Sequence, residues 1–309
     1  MPHLVAQVAK AALPFQLALA AFALAFLATL ASLWLPAAKD PKDRAYASAR
    51  VLFLAGLALN AYLVVDLGLD SGRPPIKTHY ESMLFFALLL GLLVVLLDRL
   101  RKVRILGAMT LVLILAALGF ALHRQDIEAA ALPASLNSGW FLPHATLAFG
   151  GYASASVALF LALLALRKPA GVAFEPGSFW GRALGAEDVD FVKLHRQWLR
   201  LGFLLLLAGL ATGALWARSA WAEPWSWDPK QSWTLVTLLV YGAVLHMHHT
   251  ELFKGRKALW ASVLAWAFIL MTTFGVGFLP TRSQSMHLYS DPPAPADAKD
   301  VKGIHPEMY

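Results

Sequence analysis

Eight apolar stretches dominate this chain, at about residues 13–36, 50–69, 82–97, 103–122, 143–166, 198–216, 232–249 and 258–279, with charged or Pro/Gly-containing connections between them. A bilayer's hydrocarbon core is about 30 Å thick and takes about 20 residues of helix to cross. In lipid every backbone N–H and C=O must find its partner within the protein, so continuous apolar runs can cross only as helices. The predicted fold is therefore all-α, a polytopic membrane helix bundle of about eight transmembrane helices. Composition agrees: 59% of residues are hydrophobic and 15% charged, against about 45–50% and about 25% in soluble domains. A soluble globular domain, a disordered chain and a collagen-like repeat are all excluded.

The bundle is expected to form a single membrane domain over residues 1–290. Residues 291–309, rich in Pro, Ala, Asp and Lys, hold too little apolar material to fold alone and are expected to form a flexible extracytoplasmic tail. The first run lacks a small-residue cleavage site and is followed by Lys39, Lys42 and Arg44, so it reads as a retained helix and not a signal peptide. The connection at about 167–197, mixed in charge, reads as a surface segment.

Lys39, Lys42, Arg44 and Arg50 follow the first run; Arg99, Arg101, Lys102 and Arg104 follow the third; Lys254, Arg256 and Lys257 follow the seventh. The even connections are poorer in Lys and Arg. Basic loops stay cytoplasmic, which sets both termini and the connection between spans six and seven outside. The net charge of +7 then reflects membrane topology, and no nucleic-acid partner is expected; membrane lipid is the expected surroundings, in a plasma (inner) or thylakoid membrane.

The chain has no cysteine. Disulfides, thiolate metal sites and cysteine nucleophiles are thereby excluded, and any metal must be held by His, Met, Tyr or carboxylate. Against that background one extracytoplasmic stretch stands out: five of the eleven tryptophans, Trp216, Trp221, Trp225, Trp227 and Trp233, fall within residues 216–233. Interfacial tryptophan belts are common, but this density, with Pro224 and Pro229 stiffening the loop, suits a platform for a flat apolar ligand with polar edges. Asp228 and Lys230 read as fixing the loop by hydrogen bonds and a local charge pair.

Of ten histidines, His3 and His305 lie near the ends, and His248 and His249 read as interfacial or solvated. His144 and His287 share the tryptophan face by topology, and two imidazoles on opposite sides of a planar ring are a natural axial pair for haem iron. His246 lies 13 residues beyond Trp233, about 20 Å along a helix; an ionisable group at that depth is a functional-site candidate, with a hydrogen-bonded structural role as the alternative. His79, His123 and His195 are weaker candidates. Glu81 and Asp66 either line a polar cavity or pair with Arg73 and Lys77.

The run Trp221-Ala-Glu-Pro-Trp225-Ser-Trp227-Asp228-Pro229-Lys230-Gln231-Ser-Trp233, with Leu245-His246 following, resembles the signature of the tryptophan-rich haem-handling superfamily, and within it the CcsA (ResC) branch of system II cytochrome c biogenesis. Tyr80-Glu81-Ser82, Trp140 to His144 with Tyr152, and Gly275 to Leu279 leading to His287 resemble the same branch. The resemblance covers about residues 78–290. It implies transport of haem b across the membrane and its presentation outside for thioether attachment to the CxxCH motifs of apocytochrome c, as the haem-attachment component of a cytochrome c synthase.

By motif position the resemblance makes His144 and His287 external ligands of haem iron and His246 the ligand within the membrane. It makes Trp221, Trp225, Trp227, Asp228 and Trp233 parts of the external haem surface. It also implies a CcsB (ResB)-type membrane subunit, a thioredoxin-like thiol reductant and a thiol-reducing membrane protein as partners. Two positions depart from the pattern: Gln231 stands where Glu is usual, and Met247-His248-His249 where a basic residue is usual. The alternatives are haem delivery to a chaperone as in system I, a proton-coupled transporter using His246, Glu81 and Asp66 without haem, and a membrane scaffold.

Overall fold

The computed structural model describes residues 2–35, 43–101, 103–124, 138–168, 174–175, 177–184 and 189–280. His287 and the 291–309 tail lie outside the described residues. Eight long helices coincide with the eight apolar runs: α1 Pro2–Trp34, α2 Arg44–Ser71, α3 His79–Arg101, α4 Arg104–Arg124, α5 Phe141–Arg167, α7 Phe191–Trp221, α8 Pro229–Met247 and α9 Arg256–Thr273. A one-turn helix, α6 Phe179–Leu184, precedes α7, and a 3-10 turn, Gly275–Phe278, follows α9. Among the described residues there is no strand. Six of the helices, α1 to α5 and α7, are long and apolar enough to cross a membrane. The chain is a multi-pass membrane protein. The helices α8 and α9 are shorter, at 19 and 18 residues, and pack on α7 and α5 respectively and on each other.

Lipid is as apolar as leucine, so helices in a membrane gain little from burying apolar surface against one another and associate through close contact instead. The sequence supplies that contact with glycine. The seam between α5 and α7 brings the backbones together at Gly151, Gly202 and Gly209: a Cβ on Gly209 would stand 3.2 Å from the Ala148 nitrogen, and one on Gly202 3.3 Å from the Ala155 nitrogen. In α5 the most apolar window is 78% buried, against 28% in α7, so α5 is the central helix. Outward faces carry Leu13, Leu24, Leu204, Leu239 and Leu264, all exposed, as a lipid-facing surface requires.

Two polar arrangements fix the ends. At the start of α3, Glu81 is 2% exposed and takes both arms of Arg73, at 2.8 and 2.9 Å, together with the Lys77 and Thr78 backbone N–H groups. The structural alternative for Glu81 therefore holds, with Arg73 as its ion-pair partner and Lys77 donating through its backbone. At the opposite, basic end Arg104 pairs with Asp43 and donates to the Ser32 carbonyl, and Arg182 donates to the Leu33 carbonyl.

The expectation of a surface segment over 167–197 is corrected in part. Ala183 and Leu184 of α6 are fully buried, Phe179 meets Trp34, and the Arg167 guanidinium lies over the Trp180 ring. The aromatic residues among the polar ones pull this stretch onto the bundle.

Candidate functional site

Helix α7 runs five residues further than its apolar run suggests. Trp216 and Trp221 are therefore helical, and the loop proper is Ala222–Asp228. Ala222 stops α7 in the left-handed conformation at φ 63°, and Trp227 sits at φ 57°. Such backbone in residues other than glycine costs about 1–3 kcal/mol each and persists where the surroundings demand it. Next to Trp227, Asp228 fixes the chain: 3% exposed, its carboxylate accepts the Lys230 and Gln231 N–H groups at 2.8 and 3.4 Å and caps α8, with Pro229 at the first helical position. Gln231 reaches back, its Oε1 accepting from the Ser226 N–H at 3.1 Å, and the Ser232 hydroxyl donates to the Trp227 carbonyl.

The loop holds its indoles in different settings. Trp216 is 2% exposed and meets Trp221 edge-on at 4.8 Å. Trp225 and Trp227 meet edge-on at 5.5 Å, and Trp227 projects outward at 71% exposed. Trp233, in the first turns of α8, faces Phe268 of α9. The Trp225 Nε1–H is buried with no hydrogen-bond partner among the described residues. A buried donor left unpaired costs about 1–3 kcal/mol, and an acceptor from a ligand would satisfy it.

His144, in the first turn of α5, is stacked on Trp216 with ring centroids 5.6 Å apart and planes within 10°. Its Nδ1 lies 2.8 Å from the Gly209 carbonyl oxygen. A carbonyl can only accept, so Nδ1 carries the proton and the lone pair sits on Nε2. Gly213 makes the space: a Cβ there would stand 2.8 Å from both Cε1 and Nδ1 of the ring. This is how proteins orient metal-ligating histidines, with a carbonyl on the far nitrogen fixing tautomer and ring plane. The oriented His144 imidazole suits an iron centre and the unpaired Trp225 N–H suits an acidic edge, the residue types that a flat metal-bearing ring requires.

His246 stands near the other end of α8, one residue before the helix stops, and is exposed on the same outward face as Leu239 and Ala243. The structure brings His144 to Trp216, which in turn meets Trp221, and leaves His246 exposed on its face. His79 meets Phe120 edge-on, and His123 is exposed at the end of α4. His248 is corrected: it is buried, not solvated, and bonded to His195, which sequence reasoning ranked low. Among the described residues no cluster of three or more metal-ligating side chains forms. Glu81 is closed in its ion pair and Asp66 is half-buried on α2.

Residues 76–282 match the family described as cytochrome C assembly protein. The chain belongs to this family. It is 32% identical over 290 residues to the cytochrome c biogenesis protein CcsA of Prochlorococcus marinus (strain MIT 9303), covering 85% of this chain and 90% of that one. It is 31% identical over 294 residues to the CcsA of Parasynechococcus marenigrum (strain WH8102), covering 86% and 95%. The matched region begins just before Glu81 and contains His144, the tryptophan loop and His246. A role in cytochrome c maturation, and so an involvement with haem, follows from membership of the cytochrome c assembly family.

Proposed function

We propose that this chain carries haem b across the membrane and presents it at the tryptophan-rich end for covalent attachment to apocytochrome c. That end faces outward and the basic end faces the cytoplasm, in a plasma (inner) or thylakoid membrane. The observation that carries the reading is the His144 imidazole, held flat on Trp216 by the Gly209 carbonyl with its lone pair on Nε2. His144 and His287 supply the external iron ligands and His246 the ligand within the membrane. The exposure of His246 supports a second membrane ligand from outside this chain, in a CcsB (ResB)-type subunit.

In this mechanism the protein binds and orients. Indole faces take the apolar ring, Trp225 Nε1 offers a donor to an acidic edge, and Asp228 keeps the loop in shape. Bound haem supplies the vinyl groups, and the CxxCH thiols of the apocytochrome supply the nucleophiles. A chain without cysteine contributes no competing thiol. A thioredoxin-like reductant and a thiol-reducing membrane protein keep those thiols reduced.

The test is an absorbance spectrum and haem extraction on the protein purified with its CcsB-type partner, comparing wild type, His246→Ala and the His144→Ala, His287→Ala double variant. Haem in wild type, loss of entry in His246→Ala, and entry without attachment in the double variant are expected. A well-folded, colourless wild-type complex at every stage would sink the proposal in favour of a haem-free transporter.

A further inference from the structure

Two histidines with no part in the proposed haem path meet at the basic end of the bundle. His195, in the first turns of α7, is fully buried, with Nδ1 2.9 Å from the Ala158 carbonyl of α5. That carbonyl accepts a hydrogen bond from Nδ1–H, which leaves the lone pair on Nε2. The Nε2 of His248 lies 3.3 Å from it and donates, with the ring centroids 5.2 Å apart. His248 is the residue immediately after α8. Two hydrogen bonds in series thus tie the end of α8 through α7 to the central helix.

The backbone shows what this tie holds. The His249 N–H and the Thr250 hydroxyl both donate to the His246 carbonyl, at 2.9 and 3.1 Å, so α8 ends in a tightened turn. Helix ends of this kind fray unless something outside the helix holds them. Successive residues are turned by about 100°, which puts His246 and His248 about 200° apart on the helix. Fixing His248 inward therefore fixes His246 outward, where it is found exposed beside Ala243.

We infer that His195 and His248 are positioning residues for His246, setting the rotation of the last turn of α8 so that its imidazole faces the partner subunit. The inference rests on the proposed role of His246 as an iron ligand. Its scale is that of outer partners of metal-ligating histidines, whose removal weakens metal binding by about 10- to 100-fold.

The test uses the full chain in complex with its partner membrane subunit. Because the chain has no cysteine, Ala243→Cys gives a single thiol for a spin label one turn before His246 on the same exposed face. His195→Phe and His248→Phe keep ring bulk and remove the bond; His195→Gln keeps an acceptor near the position of Nε2. In the Phe variants the label becomes more mobile and haem titrated into the complex binds about 10-fold more weakly. His195→Gln restores both readouts toward those of the parent. Label spectra and haem titrations of both Phe variants that superimpose on the parent, while His246→Ala loses haem, overturn the inference alone. Unchanged haem binding in His246→Ala overturns the role of His246 and the inference with it.

Discussion

At its tryptophan-rich end α8 is held by its own sequence neighbours: Asp228 caps Lys230 and Gln231, Gln231 reaches back to Ser226, and Ser232 to Trp227. At its basic end the same helix is held by a residue 53 positions away, through His248 and His195. The histidines follow suit. His144 is oriented wholly within the chain, stacked, hydrogen-bonded and fitted into a glycine notch, whereas His246 faces outward. The contrast teaches that one end is preorganised by this polypeptide, while at the other the proposed ligand stands exposed, where the proposed function has a second chain complete the site.

The largest expected effect breaks the self-sufficient end. Removing Arg73 or Glu81 strips the other of its buried ion-pair partner, which costs about 3–5 kcal/mol. Thermal unfolding of detergent-solubilised Arg73→Ala and Glu81→Ala should show midpoints far below wild type, and a shift no larger than that of an exposed charge such as Arg218→Ala would show that the pair does not hold this end.

Next comes Gly213→Ala. Its Cβ meets the His144 ring and overpacks the site by about 1–3 kcal/mol, so the His144-dependent part of the haem spectrum should change while haem entry is retained. A parallel loss of entry would mean the two ends are coupled. Asp228→Ala removes the cap and should lower stability by about 1 kcal/mol, read as an unfolding shift that Asp228→Asn largely avoids. The smallest effect belongs to Gln231→Glu. A carboxylate still accepts from Ser226, so stability should move by less than about 1 kcal/mol, the net worth of one hydrogen bond. A large loss there would mean that neutrality, and not the acceptor, is what the position requires.

Much of the framework was legible in the sequence because membrane helices announce themselves locally: eight apolar runs became eight long helices, and of the tryptophan cluster Trp216 did meet His144. Glu81 was legible as an ion pair since Arg73 stands eight residues away. The reach of α7 through Trp221 was not, because the left-handed stop at Ala222 uses a residue that favours helix and carries no stop signal. Nor was the His195–His248 pair, which no periodicity links and which exists only once α5, α7 and α8 are packed.

The glycine seam between α5 and α7 has a mechanical consequence. With backbone atoms already 3.2 to 3.5 Å from where side-chain carbons would begin at Gly202 and Gly209, sliding α7 by a single residue would bring Leu201 or Phe203 and Ala208 or Leu210 to those positions and drive their side chains into the opposing main chain. The two helices therefore behave as a stator, a fixed wall carrying His144 and Trp216 at one end and His195 at the other. On the proposed function, any stroke that carries haem along this bundle belongs to the helices on its flanks.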